Sequence, residues 1–71
     1  MMNCLINQLD LQLNNCKKFG ENNYQTARTY FDQAFGMLIM ACAYDPNNYP
    51  KYERLWEEVY KPAFEKIVYK I

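Results

Sequence analysis

The chain has 71 residues, eight basic and eight acidic, no histidine, and a formal charge of zero. That length makes one domain, residues 1 to 71, and a chain this small buries only about 60% of its unfolded surface. Neutrality argues against a nucleic-acid partner, which selects a basic stripe, and without histidine the usual general base and the commonest metal ligand are both missing.

The first predicted helix covers residues 2 to 18, with Leu5, Leu9, Leu13 and Cys16 on one stripe and Ile6 beside them. Leu11 falls off that stripe. Lys17 and Lys18 occupy the last turn, and Gly20 in the segment Phe19-Gly20-Glu21-Asn22-Asn23 suits a left-handed cap.

The second helix is expected over residues 23 to 44, with Asn22 and Gln25 at capping-box spacing. Tyr24, Ala27, Phe31, Ala34, Leu38 and Ala41 alternate spacings of three and four, which aligns them on one stripe. As far as Gln33 the other faces are polar. From Ala34 to Tyr44 the only polar side chain is the terminal tyrosine hydroxyl. A helix apolar all round must be surrounded, so Phe35, Gly36, Met37, Leu38, Ile39, Met40 and Cys42 are assigned to an oligomer interface. A mid-helix glycine costs about 1 kcal/mol relative to alanine. Gly36 is therefore read as a point of close approach by a neighbouring helix.

Asp45-Pro46-Asn47-Asn48-Tyr49-Pro50 is a turn that no helix crosses intact. A third helix follows over residues 50 to 70, with Pro50 in its first turn. Its expected stripe is Tyr52, Trp56, Val59, Ala63 and Ile67, widened by Leu55, Tyr60, Phe64, Val68 and Ile71. Glu57 and Lys61 stand in the favourable i, i+4 order. Pro62 removes an amide and its ring meets the carbonyl of Glu58, so a kink or break is expected near Tyr60-Lys61. No segment alternates apolar and polar residues as a strand would. The fold class is all-α, a three-helix antiparallel bundle or hairpin with the first helix packed across the other two, completed by oligomerisation.

Candidate chemistry is sparse. Cys4, Cys16 and Cys42 are odd in number and lack ligand spacing, so neither a disulfide framework nor zinc is expected, and no cofactor is implied. Glu57 and Glu58 are adjacent, and side chains one residue apart diverge by about 100° on a helix, so they cannot share one substrate. Around the second turn stand Tyr44, Tyr49, Tyr52 and Trp56. Tyr52 and Trp56 fall on the core stripe and suit a plug for the end of the bundle. Tyr49, with Asn47 and Asn48, suits an exposed recognition surface continued by Arg54 and Glu57.

The run Tyr24-x-x-Ala27-x-x-x-Phe31-x-x-Ala34, preceded by Gly20 and followed by Ala41 and Asp45-Pro46, resembles pieces of a tetratricopeptide repeat. That resemblance implies two antiparallel helices ending in a proline turn. Extra residues after Gly20 and before Asp45 depart from the family pattern, and one copy cannot make an array, so the likeness is read as shared helix-hairpin physics rather than membership.

The expected function is a small non-enzymatic protein-binding module acting through a protein partner of unknown identity, and a homo-oligomer. The apolar run is too short for the roughly 18 residues a membrane span needs, and the first residues lack a basic signal-peptide start, so the expected location is cytoplasmic. The bias to asparagine, lysine, tyrosine and isoleucine is that of an AT-rich genome. It suggests a phage or mobile-element accessory protein that inhibits or modulates a host protein. The rival reading is a nucleic-acid-binding regulator using Gln25, Arg28, Thr29, Lys17 and Lys18.

Overall fold

A computed structural model describes residues 2–69, and no strand occurs among the described residues. Helix α1 spans Met2–Phe19 and α2 spans Tyr24–Tyr44. A 3₁₀ turn at Pro46–Asn48 leads into a third helix made of three parts: α3 (Tyr49–Leu55), a π-helical turn (Trp56–Tyr60) and α4 (Lys61–Val68). The expected helix end at residue 70 and Ile71 lie outside the described residues. The molecule is a rod of 38 × 17 × 16 Å, the elongated shape that a helix of about 30 Å imposes. The α1 helix packs chiefly along α2 and also touches α4.

The core joins Leu5, Leu9 and Cys16 of α1 to Ala27, Phe31, Ala34, Leu38 and Ala41 of α2 and to Tyr52, Trp56, Tyr60, Phe64 and Val68 of the third helix. Phe31 stacks on Phe64 with ring centres 5.4 Å apart and on Trp56 at 5.8 Å. The second-helix stripe is thus buried except at its first member, because Tyr24 is exposed at the helix start.

In α1 the inward row is Leu5, Leu9, Gln12 and Cys16, not the row through Leu13. Leu13 lies one residue further round, packed at the edge of the core. Gln12 takes the seam position and its buried Oε1 has no partner among the described residues.

Neither glycine plays the role expected of it. No described residue has a positive φ, so Gly20 is not a left-handed cap. It is required by contact instead: a Cβ there would lie 2.7 Å from Ala27 Cα and 2.8 Å from the Cys16 carbonyl oxygen. Gly36 has nothing among the described residues within 4 Å of the place a Cβ would occupy, so no described helix approaches it. The helix cap is Asn23, one residue beyond the expected Asn22, and its side chain accepts a hydrogen bond from Thr26 N at 3.2 Å. The turn that bonds Asn23 N to Gly20 O delays the helix start by that residue.

The break expected near Pro62 takes the form of the π turn, where Lys61 N–H donates to Trp56 O, five residues back. Its effect is on register. The buried row of the third helix is Tyr52, Trp56, Tyr60, Phe64 and Val68, every fourth residue. In a straight α-helix each step of four overshoots one turn by about 40°, so four steps would carry Val68 about 160° away from Tyr52. The π turn winds more slowly and brings the later members back toward α2. Val59, expected on the stripe, is consequently exposed, and Ala63 and Ile67 lie at the core edge.

Candidate functional site

The second half of α2 leaves a run of large apolar side chains uncovered. Phe35 is 46% exposed, Ile39 53%, Met40 58% and Tyr44 75%. At 100° per residue, Leu38 and Ala41 point into the bundle while Gly36, Ile39, Met40 and Ala43 point away from it. Leu38, assigned from sequence to an interface between chains, belongs to this chain's own core. The outer face is therefore a ridge with no charged residue from Ala34 to Tyr44.

A groove flanks the ridge on each side. Between α1 and α2 lies a cavity of about 360 Å³ lined by Cys4, Leu5, Gln8, Met37, Met40, Ala41 and Tyr44. Between α2 and α3 lies one of about 310 Å³ lined by Phe35, Leu38, Ile39, Cys42, Tyr49, Glu53, Trp56 and Glu57. Its floor is aromatic, with Phe35 and Trp56 ring centres 5.6 Å apart. Its polar rim is formed by Tyr49, Glu53 and Glu57. The neighbouring Glu53 carboxylate pushes the Tyr49 phenol above its ordinary value. Glu57 pairs with Lys61 at 3.5 Å.

The aromatic group around the second turn divides. Tyr52 and Trp56 are buried, whereas Tyr44 and Tyr49 are exposed. Asp45 organises the turn: Asn48 Nδ2 donates to its Oδ2 at 2.7 Å and the Tyr52 hydroxyl donates to the same oxygen at 2.8 Å. These two donors hold the Asp45 carboxyl below its usual range. Asn48 is thus a structural part of the turn, while Asn47 is exposed at the end of the rod. Tyr49 and Glu57 share the α2–α3 groove. Arg54 does not join them, since it lines a separate hollow with Met2, Lys51, Leu55, Glu58 and Val59.

No family model, curated protein or solved structure matches this chain. What it does is a question for its own surface.

Cys4, Cys16 and Cys42 are free, and burial pushes the Cys16 thiol up. The Tyr60 phenol is raised by burial and by its bond to Asp10 Oδ1 at 2.6 Å, which ties α1 to the third helix. Of the residues suited to nucleic acid, Arg28 pairs with Asp32 at 3.4 Å, and the Thr29 hydroxyl donates to Gln25 O at 2.8 Å. Lys18 lies over the Phe19 ring. No helix among the described residues is long and apolar enough to cross a membrane.

Sequence reasoning missed the α1 side of the surface, Cys4 and Gln8. Both stand off the α1 stripe, and nothing in a one-dimensional pattern says that they face Met40 and Tyr44. Glu53 was reachable, since it stands four residues after Tyr49 on one helix face.

Proposed function

We propose that this chain is a small non-enzymatic protein-binding module, and that the outer ridge of α2 with its two grooves is the binding surface. One observation carries the reading: four large apolar side chains, Phe35, Ile39, Met40 and Tyr44, are about half exposed or more on one helix stretch without a charge. The largest apolar patch of an ordinary monomer is about 300 to 600 Å² and is often functional. Exposed aromatics and methionine are also the side chains that carry binding energy or adapt to a partner surface.

The test is affinity capture with the native chain, followed by reconstitution of any complex from purified components and comparison with Met40→Lys and Ile39→Glu. Both side chains are more than half exposed, so both variants should keep the wild-type melting temperature. Each should weaken the complex, with itself or with another protein, at least tenfold. A chain that stays monomeric and binds no protein at about 100 μM, a concentration that reveals even weak complexes, refutes the proposal. So does binding that ignores both substitutions.

A further inference from the structure

We infer that the occupant of the α2 ridge is a second copy of this chain, docked antiparallel about a two-fold axis level with Ile39 and Met40. The inference rests on the protein-binding reading and narrows it to one partner.

Area comes first. Taking roughly 200 Å² for a fully exposed large side chain, the exposed fractions of Phe35, Ile39, Met40 and Tyr44 amount to about 450 Å². Two copies would remove about 900 Å² through these side chains, and the adjoining Gly36, Met37, Cys42 and Ala43 bring the total to roughly the 1,000 Å² that a specific interface needs. That places the dimer at the small end of the range, dissociable on dilution.

The order of residues along the ridge is the second argument. A two-fold interface must be self-complementary, so each patch meets its own mirror in sequence. For an antiparallel pair centred between residues 39 and 40, position 36 stands level with position 43 of the other copy. Those positions are Gly36 and Ala43, and at 100° per residue both lie on the centre line of the ridge. Small therefore faces small at both ends of the contact, which lets the helix axes come within about 8 Å, the short end of helix packing. Ile39 meets its own copy on one side of the line and Met40 meets its own copy on the other. Phe35 falls beside the second copy's Cys42, and Tyr44 beside its Met37. The arrangement also gives Gly36 a neighbour, since nothing among the described residues of its own chain stands within 4 Å of a Cβ there.

The experiment has three parts. Sedimentation over about 1 to 100 μM should show reversible passage from monomer to twice the monomer mass. Gly36→Leu should leave the melting temperature of the dilute monomer unchanged or higher, because the added side chain meets open space, and should weaken dimerisation at least tenfold. The register is read by disulfide trapping in a Cys4→Ser, Cys42→Ser background. A mixture of Gly36→Cys and Ala43→Cys chains should give the mixed disulfide. Gly36→Cys alone should not, since in this register the two copies of position 36 are about 10 Å apart along the axis. A monomer at every concentration, a dimer indifferent to Gly36→Leu, or Gly36→Cys chains that link to themselves would each overturn the inference. A monomeric wild type whose complex with a different purified protein is lost in Met40→Lys overturns the second copy as occupant and leaves the protein-binding reading standing.

Discussion

Replacing Gly20 by alanine should destabilise this protein sharply, although the residue has an ordinary backbone conformation. The added Cβ would stand 2.7 Å from Ala27 Cα, 2.8 Å from Cys16 O and 2.9 Å from Ala27 Cβ. None of these atoms ends a flexible side chain, so relief requires the end of α1 and the start of α2 to move apart. Overpacking of this kind costs about 1 to 3 kcal/mol, and the backbone contacts put Gly20→Ala in the upper half. The substitution regains about 0.4 to 1 kcal/mol by restricting the unfolded chain, leaving a net loss of about 2 kcal/mol. For a domain of this size that lowers the melting temperature by roughly 8 to 16 °C. Gly36→Ala is the matched control, because its Cβ meets nothing and the helix gains about 1 kcal/mol, or roughly 4 to 8 °C. Far-UV circular dichroism melts of the three proteins, at a concentration low enough to keep them monomeric, give both shifts. A Gly20→Ala protein that melts with the wild type, or a Gly36→Ala protein that melts below it, refutes the reasoning.

Gln12→Leu should raise the urea midpoint by the equivalent of about 1 to 2 kcal/mol, because it removes a buried carbonyl oxygen that has no partner among the described residues. Tyr60→Phe should cost about 1 kcal/mol at neutral pH through loss of the bond to Asp10. The Tyr60 phenol is raised in the folded state, so its contribution is complete below the ordinary tyrosine value near 10 and is lost as pH climbs above it. Wild-type stability should therefore fall more steeply above about pH 10 than that of Tyr60→Phe, as chemical denaturation at several pH values would show. Asp45 has the opposite sign: its carboxyl is lowered on folding, so its contribution is present above the ordinary aspartate value near 4 and fades below it. The stability gap between wild type and Asp45→Ala should narrow as pH falls from about 5 to about 2.5.

The fold class, the helix order and the buried row of α2 follow from local pattern, because Ala27, Phe31, Ala34, Leu38 and Ala41 keep an uninterrupted α-helical period. The third helix was less legible for one reason. Its core row has a period of four, and a reader who assumes α geometry assigns Val59 to the centre of the stripe and Tyr60, Phe64 and Val68 only to its margin. Pro62 signals a disturbance but not that the helix will widen rather than break. Gln12 and Leu13 are neighbours, and hydropathy favours the wrong one; only the packing of α1 along α2 decides between them. The close approach was assigned to the wrong glycine because it depends on what lies opposite, which for Gly20 is Ala27. As for the candidate surface, the apolar composition of residues 35 to 44 was visible, but which side chains stay outside depends on where α1 and α3 lie. Tyr49 and Glu57 come together because both face α2, whereas Arg54 stands on the far side of the same helix.

The π turn has a consequence for how the gene tolerates change in length. Loss of one codon from an ordinary helix turns every later side chain by about 100° and scrambles its buried face. Here the extra residue is already accommodated in the winding at Trp56–Tyr60. Deleting Glu58 would convert that turn to α geometry and leave Tyr52, Trp56, Tyr60, Phe64 and Val68 spaced by four, three, four and four, a pattern that keeps one face on a regular helix. With Pro62→Ala in the same chain, to restore the missing amide, the third helix would run as one unbroken rod with its buried row intact. This segment is a reserve of a single residue, where a three-nucleotide deletion is a conservative mutation.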